Sequence, residues 1–107
     1  KFKIDFFTSA KFIEMRSVLH LRTGNSEKDW IHRDTAQKTL LIYLSKTNLE
    51  SGTCLYEEDN SPSTIVKFIQ NRAFLFDANT KHSSLQNYGN DVNDGRLTIN
   101  CFINSKK

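Results

Sequence analysis

Short runs of apolar or alternating residues, each closed by turn formers, recur along nearly the whole chain. Met15 to Thr23 alternates and stops at Gly24-Asn25-Ser26, and Lys28 to His32 is brief and holds the single tryptophan, Trp30. Lys38 to Ser45 (KTLLIYLS) is the strongest run, apolar on both faces through Leu40, Leu41, Ile42, Tyr43 and Leu44. Asn48 to Gly52 reads as a turn, followed by a strand over Thr53 to Tyr56. A polar loop, Glu57 to Ser63, carries the one proline, Pro62. Thr64 to Ile69, Ala73 to Phe76, His82 to Leu85 and Arg96 to Ile103 complete the series. Between them lie a turn at Gln70-Asn71 and an Asn-, Asp- and Gly-rich loop from Asn87 to Gly95. Period-two alternation in pieces this short predicts β-strands. Helical periodicity is scarce, and its best candidate is the short, Phe-rich stretch Phe2 to Phe12.

About eight antiparallel strands in so short a chain predict a mainly all-β domain of two packed sheets. The expected architecture is a double-stranded β-helix (jelly roll) with a minimal N-terminal segment. An open meander or another barrel topology uses the same pattern, because periodicity does not order strands. A chain of 107 residues suffices for one modest core. Residues 1–107 therefore read as a single domain, complete or as the core of a longer protein.

Composition narrows the class further. Apolar residues make up 37% and mean hydropathy is −0.54, so the surface is largely polar around a core rich in Phe and Tyr. The net charge of +3 is spread along the chain, and its one adjacent basic pair is Lys106-Lys107. A nucleic-acid surface usually clusters Lys and Arg with interleaved aromatics, so this scatter argues against one. No apolar run approaches the ~20 residues that span a bilayer. Cys54 and Cys101 fall inside strand-like runs and read as buried free thiols in preference to a disulfide or metal pair. With no Asn-x-Ser/Thr sequon, that favours a reducing compartment, the cytoplasm first among them. Oligomeric state leaves no mark on the sequence.

The candidate chemistry begins with the three histidines, His20, His32 and His82. His20 sits within an alternating strand and reads as structural. His32 precedes Asp34 by two positions, and on extended backbone such residues project to one side, so both can reach a single ion. Three His and seven Asp in 107 residues make a chance His-x-Asp about a one-in-five event, so the pair alone says little. His82, following the Phe74-Leu75-Phe76 strand, could add a second imidazole if the fold brings it alongside. Two imidazoles and one carboxylate on one face of a metal leave coordination positions open, as non-haem iron(II) chemistry requires. In the last strand, alternation puts Arg96, Thr98 and Asn100 on one face and Leu97, Ile99, Cys101 and Ile103 on the other. If the polar row points inward, Arg96 is a buried charge that needs an anion. A dicarboxylate supplies one through bidentate pairing. If it points outward, Arg96 and Thr98 are simply solvated.

Taken in order, these pieces resemble the 2-oxoglutarate/iron(II) oxygenases, most closely the prolyl-hydroxylase-like branch. The resemblance runs from about Met15 to Ile103. It includes His32-x-Asp34, the strand TLLIYLS, Gly52-Thr53-x-Leu55-Tyr56, Ala73-Phe74-Leu75-Phe76, the distal His82 and Arg96-x-Thr98. Asn71 stands where a glycine often opens the sixth strand. The resemblance implies a jelly roll with Fe(II) held at its mouth by His32, Asp34 and His82. It also implies 2-oxoglutarate chelating the metal, its distal carboxylate on Arg96 with help from the Thr98 hydroxyl. Tyr43 adds a hydrogen bond to that carboxylate or serves as core. The implied reaction consumes O2 and 2-oxoglutarate, releases succinate and CO2, and oxidises a peptide or small-molecule substrate. Halogenating members lack the carboxylate that Asp34 supplies, so the implied outcome is hydroxylation. Two other readings of the same residues are a non-enzymatic jelly-roll module that binds metal or ligand, and a cupin-like metalloenzyme without a co-substrate.

Overall fold

The structure, a computed structural model, describes residues 12–106. They form β1 (Phe12–Arg22), β2 (Lys38–Tyr43), β3 (Asn48–Tyr56), β4 (Pro62–Phe68), β5 (Ala73–Asp77), β6 (His82–Ser84) and β7 (Arg96–Lys106). The described chain is all-β, and no helix in it is long and apolar enough to cross a membrane. Two antiparallel sheets result, one of four strands in the order β1-β7-β2-β5 and one of three in the order β4-β3-β6.

Each position in the sheets follows from sequence. β2 lies between β7 and β5 and none of its residues is exposed, so with both faces covered it reads as a continuous apolar run. β4 is an edge strand, which is where a strand that opens on Pro62 can sit without losing a ladder hydrogen bond. β1 pairs with β7 over its full length, from Phe12 opposite Lys106 to Arg22 opposite Arg96. Asn71 takes φ 70° in the β4–β5 turn, which the Arg72 N–H closes by donating to the Ile69 carbonyl at 3.0 Å, and its own N–H ties the turn to β2 through the Tyr43 carbonyl at 2.8 Å. That is the left-handed conformation asparagine tolerates best after glycine.

Two sequence expectations change. Seven strands form among the described residues, and Lys28 to His32 is not a strand; its only ladder contact is a bridge between His32 and His82. A five-residue run without long alternation lacks the pairing partners to extend further. Asn48 to Gly52 is the first part of β3 and not a turn. Its turn-forming residues mark a register shift between Asn48 and Gly52, where the strand bulges. The helix candidate Phe2 to Phe12 lies outside the described residues, apart from Phe12, which opens β1.

The core fills one half of the space between the sheets. Leu41, Tyr43 and Phe76 from the four-stranded sheet meet Phe68 from the other, with Leu55, Val66 and Phe74 packed against them. Tyr43 stacks on Phe68 with centroids 4.1 Å apart. Its hydroxyl donates to Thr53 Oγ1 at 2.8 Å, with the Val66 carbonyl also in reach at 3.0 Å. A buried phenol needs such a partner. Cys54 and Cys101 are both buried free thiols, as their strand-like contexts suggest.

Gly52 adopts φ 130°, and an added Cβ would meet the Val66 carbonyl oxygen at 2.4 Å. Both the backbone conformation and the close approach exclude a side chain. Gly52→Ala is expected to cost about 2 kcal/mol or more. The check is a lowered denaturant midpoint at unchanged slope.

Candidate metal centre and the adjoining cavity

Backbone pairing brings the three candidate ligands together. His32 donates its backbone N–H to the His82 carbonyl at 3.0 Å, and His82 returns the bond to His32 at 2.9 Å. Directly opposed residues project to the same side, and the two imidazole centroids lie 4.4 Å apart. Asp34 is fixed in turn by its own N–H, which donates to the Ala78 carbonyl at 2.8 Å. His32 Nε2 is then 3.8 Å from Asp34 Oδ1, and His82 Nε2 is 3.3 Å from Asp34 Oδ2. One ligand atom from each residue can be chosen so that all lie within 4.8 Å of one another. Neighbouring ligands around a metal with bonds of about 2.1 Å sit roughly 3 Å apart, so the three side chains would draw in by up to about 2 Å to share one ion.

The tautomers suit a metal. His32 Nδ1 lies 2.8 Å from the Trp30 carbonyl and His82 Nδ1 lies 2.7 Å from the Thr80 carbonyl. A carbonyl only accepts, so each Nδ1 carries the proton and each neutral ring offers its Nε2 lone pair. The same arrangement, a ring bonded to the carbonyl two residues back, thus occurs at both histidines. Thr39 Oγ1 donates to Asp34 Oδ2 at 2.7 Å. The Phe76 ring meets His82 edge to face at 4.9 Å.

Asp29 holds the ligand-bearing segment against both sheets. Its Oδ1 accepts from Arg22 Nη2 at 3.0 Å, and its Oδ2 accepts from the Ser84 backbone N–H at 2.8 Å. Because Arg22 ends β1 and Ser84 ends β6, one carboxylate ties the segment to each sheet.

Beside the triad opens a cavity of about 360 Å³, lined among others by His20, Arg22, Asp29, Arg96 and Asn100 as well as His32, Asp34 and His82. Arg96 is only 2% exposed, so the inward reading of its strand face holds. Its Nε donates to Ser51 Oγ at 3.2 Å and its Nη2 to the Gly52 carbonyl at 2.9 Å, with Thr53 Oγ1 at 3.4 Å. The guanidinium carbon stands 5.4 Å from the Phe68 centroid and 5.8 Å from that of Tyr43. Burial pushes its pKa down, though an arginine stays charged under any working condition. Thr98 is buried on the same strand face, but its hydroxyl donates to Asn100 Oδ1 at 2.7 Å. Tyr43 lies in the core, with its hydroxyl bonded to Thr53 and the Val66 carbonyl.

Sequence reasoning thus named the residues that converge, His32, Asp34 and His82, and the Arg96 that shares their cavity. It missed Arg22 and Asp29, and it read His20 as structural where the side chain borders the cavity. Burial lowers the His20 pKa, and the nearby Arg22 and Arg96 lower it further. The available signal was the alternation of β1, which places His20 and Arg22 on one face.

No protein-family model matches the chain, and it matches neither a curated protein nor a solved structure.

Without metal the cluster is a proton site. Burial acts to lower the His82 pKa, but the hydrogen bond to Asp34 and the Thr80 carbonyl outweigh it and raise the value above 6.5. Burial acts to raise that of Asp34, and the bonds from His82 and Thr39 outweigh it and hold the carboxyl below 3.8. A raised histidine contributes stability that is lost as pH rises through its folded pKa. A depressed carboxylate contributes stability that is lost as pH falls through its folded pKa. The metal-free protein is therefore expected to be most stable between about pH 4 and 6.5 as far as this pair is concerned. Melting temperature against pH checks this, and Asp34→Asn is expected to flatten both limbs.

Proposed function

We propose that this chain is an Fe(II)- and 2-oxoglutarate-dependent dioxygenase that hydroxylates a peptide or small-molecule substrate. One observation carries the reading: two imidazole Nε2 atoms and a carboxylate converge beside a cavity that also holds a buried guanidinium. Two histidines and one carboxylate on one face suit non-haem iron, because the remaining coordination positions stay open. His32, Asp34 and His82 would hold the metal, and Arg96 would take the distal carboxylate of 2-oxoglutarate.

Bound there, iron and 2-oxoglutarate supply the oxidising chemistry, in which O2 is consumed, one substrate C–H becomes C–OH, and succinate and CO2 leave. The chain's own groups prepare that site. The Trp30 and Thr80 carbonyls hold both imidazoles in the ligating tautomer. Thr39 orients Asp34, and Phe76 closes one side of His82 against water. Asp34 occupies the position that halogenating members leave for halide, which favours hydroxylation.

The strand orders support a double-stranded β-helix. The bridge between His32 and His82 sets the 28–32 segment beside β6, where a fourth strand would balance the two sheets. The guanidiniums, carboxylates and imidazoles about the cavity offer partners for a charged, polar co-substrate.

Anaerobic addition of Fe(II) and 2-oxoglutarate is expected to give a weak visible charge-transfer band. His82→Ala is expected to abolish the band and to weaken metal binding by about 100-fold or more. Absence of a band, with metal affinity unchanged in His82→Ala, would overturn the reading. Metal held tightly by the triad with no succinate released in air would favour the non-enzymatic binding module instead.

A further inference from the structure

The long strand β1 is open to solvent in a way that the cavities it lines do not explain. Every position from Ile13 to Leu19 is exposed, on both faces of the strand. Glu14, Arg16, Val18, His20 and Arg22 turn to the cavity side, where they line the triad cavity and a neighbouring one of about 440 Å³. The opposite face presents Ile13, Met15, Leu19 and Leu21, with Met15 60% and Leu19 64% exposed. A contiguous apolar row left in water forfeits the free energy of burial at each position.

β1 is also an edge. Its sheet neighbour among the described residues is β7, so its other side carries unpaired backbone groups. Leu97 shows which groups these are. Its N–H donates to Ser45 Oγ and its carbonyl accepts from the Leu44 N–H, so both point away from β1. Alternation along β7 then turns Thr98, Asn100 and Phe102 toward β1, where they bond to His20, Val18 and Arg16 opposite them. The residues between, Met15, Ser17 and Leu19 among them, direct N–H and C=O to the open edge. The apolar outer row and the unpaired backbone groups therefore belong to the same residues.

Unpaired edges invite another strand, and other edges of this fold are defended. β4 opens on Pro62 and bulges against β3, and β5 is five residues long. β1 runs eleven residues against β7 without a register shift, and it holds no proline, glycine or lysine. Its charged side chains point into open cavities, where a strand added at the edge leaves them solvated, so they do not guard the edge either.

The sequence of β1 fits a copy of itself. Laid antiparallel about a twofold axis through Ser17, all eleven residues pair. Met15 then faces Leu19 and Ile13 faces Leu21 on the outer side, while Ser17 faces its own counterpart. On the cavity side Glu14 faces His20 and Arg16 faces Val18, so no two like charges are opposed. Centring on Arg16 instead sets that arginine against itself. Centring on Val18 sets Arg16 against His20 and Ser17 against Leu19. Apolar and opposite-charge pairs stabilise neighbouring strands, whereas like charges directly opposite weaken them. The Ser17-centred contact is isologous and closes at two copies, so it does not run on into a fibre.

We propose that this protein is a homodimer in which β1 pairs antiparallel with β1 of a second copy, joining the two four-stranded sheets into one. The second copy's Glu14 and Arg16 then stand beside His20 and Val18, so each copy walls the β1 side of the other's triad cavity. The pairing does not depend on which metal or co-substrate that cavity takes.

The test is sedimentation equilibrium of the full chain across micromolar concentrations, together with hydrogen exchange at single amides. A mass of twice 12.4 kDa is expected, with the Met15, Ser17 and Leu19 amides protected. Met15→Lys with Leu19→Lys opposes like charges across the twofold axis at two exposed positions, and is expected to weaken the dimer about tenfold or more. Met15→Glu with Leu19→Lys sets opposite charges at the same pairs and is expected to recover most of that loss. Leu19→Pro removes an edge-facing N–H from each copy and spares the β1–β7 ladder, so a loss of about tenfold or more is expected there too. If Leu19→Pro does not fold, the two charge variants decide.

A monomer at every concentration, with unprotected β1 amides, would overturn the proposal. Protected amides in a monomer would overturn it in favour of another segment of the chain as the partner of β1. A dimer unchanged by the like-charge variant places the contact on another surface and sinks the proposal as well. If the like-charge variant dissociates and the opposite-charge variant does not reassociate, the Ser17-centred pairing fails and the proposal with it.

Discussion

The reciprocal backbone bond between His32 and His82 is the constraint on which the rest of the site depends. It joins a segment that forms no strand to a three-residue strand that β3 already holds, and so fixes the segment's position through β6. From that junction the two imidazoles follow as same-side neighbours, and Asp34 follows two residues later on extended backbone. The cost of ordering such a segment is about 1–2 kcal/mol per residue in backbone entropy. Asp29 offsets part of it by binding both sheets, which explains why a carboxylate is buried three positions before the first ligand.

Division of the space between the sheets is the second organising fact. Tyr43, Phe68, Phe76 and their neighbours pack together as the core, while a cavity that carries the charged residues opens beside them. A chain this small has little apolar surface to spare for both. Arg96 sits at the boundary, where its guanidinium lies near two aromatic faces and donates to a carbonyl that the Gly52 bulge presents. A buried charge without a carboxylate partner is tolerable there because aromatic faces and oriented dipoles replace part of its hydration. The core thus supports the site directly, and a change in ring packing at Phe68 would be felt at Arg96.

Much of this was legible in the residues. Strand alternation located β2, β4, β5, β6 and β7 to within a few positions, and the Arg96–Thr98 face was visible as polar before its direction was known. His-x-Asp gave two ligands through simple geometry, whereas His82 needed a long-range pairing that no local pattern encodes. β1 shows the limit most clearly. Alternation revealed its period, but the polar set, His20 and Arg22 included, turns toward the cavity, while Met15, Leu19 and Leu21 are exposed. A rule that apolar residues face inward therefore gives the wrong side, and with it hides Arg22. Gly52 misled for a related reason: a glycine signals unusual φ, and a bulge satisfies that signal as well as a turn does.

The opposed arginines add an argument about why such a floor persists in a protein of modest size. Direct repulsion across β1 and β7 works against the longest strand pair in the fold, and Asp29 neutralises only half of it. A substitution that removed either charge would relieve the pair at once, so the arrangement is hard to account for as a contribution to folding. The offsetting contact is Asp29, which accepts from both Arg22 and the Ser84 N–H, so the carboxylate that answers the repulsion is the one that positions the 28–32 segment.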